Sequence, residues 1–263
     1  MPAFTDARGR TLALDAIPRR IVSLVPSQTE LLADLGLDEE VVGVTRFCVH
    51  PEGWKARKRI VGGTKNVNLE RVRALAPDLV LANLEENTRA DVEALDAFAP
   101  VFVTDVRGVP GAAAMIRTVG RLTGRAERAE ALAREIETGF DALAAHPPLR
   151  AAYLIWRKPY MSVGRDTFIH DVMTRAGFAN VFAGRTRYPE VTPETLAAAR
   201  PEVVLLSSEP YPFAGKHREE LRAFLPDARL VFVDGELFSW YGSRLRLTPP
   251  YLERLRRSLD GEG

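Results

Sequence analysis

The sequence predicts an α/β protein of two similar lobes with parallel central sheets, joined by one long rigid helix. Three observations predict it. Short β-branched runs alternate with helical stretches. A phrase of the first half, NLERVRALAPDLVLAN from Asn68, returns in paraphrase as TPETLAAARPEVVLLS from Thr192. Aligning Pro77 with Pro201 sets the offset at 124 residues (201 − 77), which places Glu70 on Glu194. Between the halves lies an uninterrupted amphipathic helical pattern. The length, 263 residues, also suits two cores, since domains commonly run to roughly 100–150 residues.

In chain order, RIVSLVP (20–26) reads as a strand ended by Pro26. SQTELLADLG follows as a helix, with Ser27 and Glu30 spaced as a capping box and Gly36 as its stop. Strands are expected at 41–47, 78–83 and 101–106, with helices around 68–76, 88–98 and 110–122. From Arg125 to His146 the apolar positions Ala126, Ala129, Leu132, Ala133, Ile136, Phe140 and Leu143 keep to steps of three and four. Pro147 and Pro148 then stop the pattern. A helix of that length spans about 33 Å. Beyond it come strands at 151–156, 202–208 and 229–234, and helices at 166–177 and 249–259. The expected division is an N-terminal lobe 1–124, a linking helix 125–146 and a C-terminal lobe 147–263.

Composition removes several classes of function. A formal net charge of +1 argues against nucleic-acid or membrane-surface binding. Cys48 is the only cysteine, so neither a disulfide nor a thiolate cluster forms within the chain. The four histidines (50, 146, 170, 217) lack ligand-type spacing, and no metal site is expected. No nucleophile–base pairing, phosphate loop or dinucleotide fingerprint is present, since VPSQTE stands where the last would be. No catalytic residue and no intrinsic cofactor is assigned. MPAFTDARGR has no apolar core of a secretory leader, which leaves the compartment open between periplasm and cytoplasm.

Glu70 and Glu194 fall at the second position of equivalent helices, capped by Asn68 and Thr192. Two readings stand. An acidic residue in the first turn is favoured by the helix dipole alone. Matched charges on two lobes also suit a two-fold symmetric partner.

With the phrases IVSLVPSQTELL, VGVTRFCVHP, GGTKNVNLERV, LSSEPYPF and DGELFSWYGSR in this order, the chain resembles the substrate-binding proteins of ABC importers for vitamin B12 and iron chelates. The resemblance runs from about residue 20 to the final helix. It implies an extracytoplasmic monomer that captures a metal chelate in an interlobe cleft and delivers it to a membrane permease dimer. It implies that Glu70 and Glu194 contact that permease. It also implies a ligand such as cobalamin, with haem or a ferric siderophore as alternatives.

Loops after the strands' carboxyl ends are where α/β sheets bind ligands. ELFSWYGSR offers Phe238, Trp240, Tyr241 and Arg244, rings for area and a guanidinium for anionic edges. Phe238 or Trp240 equally suits a core plug. RFCVHPEGW offers Phe47 and His50, the latter either a metal ligand or a structural hydrogen-bonding group. Ser27 follows the first strand, and GGTKN offers Thr64 and Lys65, a ligand-pairing or merely solvated lysine. Asn83 ends a strand. In the second lobe the candidates are Trp156, Arg187, Tyr188, Glu209 and Tyr211, the last equally suited to covering a sheet edge. The competing reading is a tetrapyrrole metal chelatase or a cytoplasmic chelate sensor, with His50 and Glu85 or Glu209 on the metal path.

Overall fold

Ile21–Ser23 runs through the centre of a five-stranded parallel sheet and is completely buried. The order across the sheet is Arg59–Ile60, Val41–Val44, Ile21–Ser23, Leu79–Asn83, Val101–Thr104. Strands covered on both faces need continuous apolar runs rather than alternation, and VVGV, LVLAN and VFVT supply them. The computed structural model describes residues 3–261. By internal contacts the chain forms two units. The first comprises the residues up to Val106, Pro110–Glu137 and Tyr241–Arg244; the second comprises Arg107–Val109, Thr138–Trp240 and the residues from Leu245 onward.

The second unit is built on a four-stranded parallel sheet ordered Phe178–Asn180, Leu149–Leu154, Val203–Ser207, Arg229–Val233. Both sheets reverse winding beside their first strand, so each has a topological switch point there. In the first unit Val22, Val72, Val80, Val92, Leu95 and Val103 fill one face of the sheet. In the second, Leu154, Leu196, Val204, Leu206 and Leu221 do the same. Each such side chain, fully buried, contributes roughly 1.5–3 kcal/mol.

The repeated phrase is one structural device used twice. Asn68 Oδ1 caps the helix Leu69–Ala74 by accepting from Arg71 N at 2.9 Å, and Thr192 Oγ1 caps Pro193–Ala199 by accepting from Thr195 N at 3.2 Å. At the other end, Arg20 donates to the Leu75 carbonyl at 2.7 Å and Arg150 to the Ala199 carbonyl at 2.6 Å, positions again 124 residues apart (199 − 75). Those carbonyls lack helical partners, so each arginine, Arg20 just before its strand and Arg150 within its strand, closes a helix end. The strands that follow, Leu79–Asn83 and Val203–Ser207, keep the same offset.

The helix expected at 125–146 runs over Ala126–Asp141, about 24 Å rather than 33 Å. Pro147 and Pro148 are not what ends it. The Ala144 amide, which would bond the Phe140 carbonyl in a continuing helix, donates instead to Glu253 Oε1 at 2.6 Å. The helix packs on Val109–Leu122 through Arg117, which reaches Glu130 and Glu137 at 2.7 Å each. Gly120 is required there, because a Cβ would lie 2.1 Å from that of Ala129.

The capping box expected of Ser27 and Glu30 is absent. Helix Pro26–Asp34 starts at Pro26 with Val25 as its cap, a position where proline loses nothing. Glu30 serves another purpose, described below. Among the elements the sequence did not announce are the hairpin Ala3–Thr5/Thr11–Ala13, the hairpin Gly62–Gly63/Asn66–Val67, the strand Phe178–Asn180 and the helix Gly215–Arg222.

Candidate functional site

Each unit has loops at the carboxyl ends of its parallel strands. In the first unit, the loop after Val41–Val44 is pinned by Cys48. Its buried sulfur lies 3.0 Å from Thr29 Oγ1 and 3.2 Å from Thr45 Oγ1, and burial pushes the thiol's pKa up. With Cys48 turned inward, its neighbours Phe47 and Val49 project outward, 53% and 45% exposed. Single exposed apolar residues are ordinary on a protein surface, and Ile17, Phe224, Phe232 and Leu247 are others, but Phe47 and Val49 share one loop at a strand's carboxyl end. His50 is half-buried in the same loop.

The hairpin Gly62–Gly63/Asn66–Val67 carries Thr64 and Lys65 at its turn. Gly62 has φ +115°, and a Cβ there would lie 2.5 Å from the Asn66 carbonyl oxygen, so glycine is required. The Lys65 ammonium donates to the Glu85 carbonyl, and the Thr64 carbonyl accepts from Asn87 Nδ2 at 2.9 Å. Asn83 is buried and spent on its own turn. Its Oδ1 accepts from the amides of Glu85 and Glu86, and its Nδ2 donates to Thr104. Its role is to hold the loop in place, which replaces the ligand contact expected of it. The residue it presents is Leu84, 48% exposed, which the sequence reading passed over. Leu84 also borders a cavity of about 450 Å³ with Arg8, Arg10 and Arg89, whose guanidinium groups are held by Asp96 or Glu93.

Ser27 is buried beneath the segment 241–244. A Cβ on Gly242 would stand 2.2 Å from the Ser27 carbonyl oxygen. The same segment brings Arg244 onto Glu30 in a two-pronged ion pair at 2.8 and 2.9 Å. Burial raises the Glu30 pKa above the usual carboxylate range, and the guanidinium offsets only part of that. Arg244 thus anchors its segment to the helix Pro26–Asp34, and Tyr241 beside it is buried.

In the second unit Trp156 follows Leu149–Leu154 and is 40% exposed. Tyr211, after Val203–Ser207, meets it edge-on at 5.6 Å and meets Phe213 at 5.1 Å. Arg187 and Tyr188 share the loop after Phe178–Asn180, the guanidinium 5.7 Å from the ring. Arg187 takes φ +57°, and its amide donates to Asp166 at 2.5 Å, which lowers the Asp166 pKa. Glu209 Oε1 accepts from Ser239 Oγ at 2.5 Å and from the Trp240 indole at 3.0 Å, while burial raises its pKa. Phe238 is fully buried, 5.0 Å from Tyr153 and edge-on to Tyr251 at 6.3 Å. It is core, which replaces the ligand role expected of it. Trp240 is buried as well. The exposed apolar surface therefore belongs to Phe47, Val49, Leu84 and Trp156 more than to the 236–244 stretch.

Glu70 and Glu194 are both exposed at the second position of their helices. The Thr192 hydroxyl and the local backbone lower the Glu194 pKa. Among the described residues no group of three or more His, Cys, Asp or Glu side chains gathers as a metal site, and no helix is long and apolar enough to cross a membrane.

A family model described as periplasmic binding protein matches residues 21–226, and the chain belongs to that family. It is 28% identical over 202 residues to the vitamin B12-binding protein of Pectobacterium atrosepticum, covering 73% of this chain and 72% of that one. It is 28% identical over 256 residues to an uncharacterized ABC transporter substrate-binding lipoprotein of Bacillus subtilis, covering 91% and 80%. A periplasmic haem-binding protein of Pseudomonas aeruginosa superposes with a TM-score of 0.78 at 25% identity, covering 90% and 92%. The type is that of the ABC-importer substrate-binding proteins for vitamin B12 and iron chelates, as the resemblance implied. Proteins of this kind carry their ligand as cargo rather than as a resident cofactor.

Proposed function

We propose that this chain is the extracytoplasmic capture component of an ABC importer, and that its cargo is a metal chelate with a conjugated or corrin-like ring. One observation carries the reading. In a member of the periplasmic binding protein family, large apolar side chains stand exposed in loops at the carboxyl ends of the parallel strands. Phe47, Val49 and Leu84 do so in the first unit and Trp156 in the second. Such groups suit a broad ring system, whose burial is driven by apolar area. Arg187 with Tyr188 adds a cation for anionic edges. Within that class we favour a corrinoid over a highly anionic siderophore, and the titration below separates the two.

Glu70 and Glu194, equivalent and exposed, are the groups we assign to the permease. Capture and release need no bond chemistry, and the family and its relatives lend the chelatase alternative no support. The test is titration of the protein with cyanocobalamin, haemin and a ferric siderophore, read by tryptophan fluorescence. Saturable quenching by cyanocobalamin, weakened at least tenfold in Trp156→Ala, is expected. No saturable response to any of the three would overturn the reading.

A further inference from the structure

His217 occupies the first turn of the helix Gly215–Arg222 and is only 4% exposed. Both ring nitrogens are engaged. The Ala214 amide donates to Nδ1 at 2.9 Å, and an amide N–H cannot accept, so Nδ1 carries no proton. The ring proton sits on Nε2 and is donated to the Tyr211 hydroxyl at 3.0 Å. The imidazole is therefore neutral, and it bridges the helix start to Tyr211. Ala214 has no side chain with which to cap that helix, so the histidine takes on the reciprocal half of a capping box.

Tyr211 passes this order outward. Its ring lies 5.3 Å from His217, 5.1 Å from Phe213 and 5.6 Å, edge-on, from the exposed Trp156. Phe213 is also edge-on to His217 at 5.7 Å. We propose that His217 is a positioning residue: while neutral it holds Tyr211, and through it Trp156, in place, and on protonation it releases both.

A proton on Nδ1 would set N–H against the Ala214 N–H, and the capping contact is lost. It would also place a cation at a helix N-terminus, the unfavourable end of the dipole. The charged groups around the ring are Lys216, Arg157 and Glu220, with the hydroxyl of Tyr211. Lys216 and Arg157 oppose protonation. Glu220 favours it, but Arg157 at 2.5 Å and Tyr160 at 2.9 Å already occupy that carboxylate. Burial is the largest influence, and the histidine titrates below its ordinary value. A group with a depressed folded pKa binds its proton more readily when released. The arrangement is thus fully stable above the unfolded value of 6.5 and weakens as pH falls through the lower folded value.

The bearing on cargo rests on the ligand role proposed for Trp156, but the test needs no ligand, so failure of that role leaves it intact. The full chain is labelled with 5-fluorotryptophan and followed by fluorine NMR, with the Trp156 signal assigned by Trp156→Phe. Histidine ring protons are titrated in parallel over about pH 5 to 8. The Trp156 signal should move with the midpoint of His217, below 6.5, while the Trp54 signal stays still. In His217→Gln, whose amide can accept from Ala214 and donate to Tyr211, the transition should vanish, with Trp156 held at its neutral-pH position. A Trp156 signal that stays put while His217 titrates overturns the proposal, as does a transition that survives in His217→Gln. Should the variant fold poorly, coincidence of the two wild-type midpoints decides alone.

Discussion

Ala76 and Arg200, 124 residues apart (200 − 76), both hold their backbone in the left-handed region, with φ +43° and +46°. Each stands immediately before a proline, at the exit of a helix whose last carbonyls are closed by an arginine. A residue preceding proline is pushed out of the right-handed helical region, so the helix must end there. Left-handed backbone at a non-glycine residue costs roughly 1–2 kcal/mol.

That cost can be recovered. Ala76→Gly removes the Cβ clash at an exposed position, against the entropy that glycine adds to the unfolded chain. We expect a net gain of about 0.5–1 kcal/mol. Two residues earlier, inside the helix Leu69–Ala74, Ala74→Gly should lose about 1 kcal/mol. Urea denaturation of the two variants gives opposite signs if the left-handed turn is real. A loss in both would refute it.

Reversing charge at Glu70 and Glu194 together, by substitution with Lys, should abolish stimulation of the cognate transporter's ATPase in vesicles. Affinity for the cargo should stay within about twofold, a change worth under 0.5 kcal/mol. Both carboxylates are exposed on short capped helices, and stability should barely move. A collapse of affinity would show that these residues do something other than dock.

Phe238 and Trp156 separate packing from binding. Phe238→Ala leaves a void beside Tyr153 and should cost about 3–5 kcal/mol of unfolding free energy. Trp156→Ala, at a half-exposed site, should cost about 1 kcal/mol or less and act on affinity instead. Parallel denaturation and binding curves test the pair, and the reverse pattern would restore Phe238 as a ligand residue.

Most of the fold was legible because it is written in local chemistry. The β-branched runs fixed the strands, and Asn68, Thr192, Gly36 and Gly177 marked helix ends where the structure has them. The site was less legible. FSWYGSR looked like a ligand loop because aromatic content is visible in sequence and burial is not. Whether Phe238 points inward depends on Tyr153, a residue 85 positions away (238 − 153). Asn83 and Lys65 looked like free polar groups because their partners are main-chain atoms, Glu85 N and Glu85 O, which no side-chain pattern announces. Conversely Leu84 and Val49 were missed because a lone aliphatic residue reads as core.

Glu209 gives a pH-dependent expectation. Its folded pKa is raised, chiefly by burial, so its contribution to stability is fully present below the unfolded value of 4.5 and is lost as pH rises through the folded value. Glu209→Gln keeps an oxygen for Ser239 and the Trp240 indole without the charge. Its stability should decline less than that of the natural protein as pH climbs from 4.5 towards neutrality. Glu209→Leu strands the indole N–H and should lose about 1–3 kcal/mol across that range. Identical pH profiles for the natural chain and the Gln variant would show that Glu209 is not desolvated.

The four residues 241–244 make the duplication indivisible. They arrive from the later half of the polypeptide yet are fastened to the earlier half, with Gly242 seated against Ser27 and Arg244 clasping Glu30. A cut between the two repeats would therefore part this strip from the residues that hold it. One fragment would forfeit its clasp and the other would carry a strip with nowhere to go.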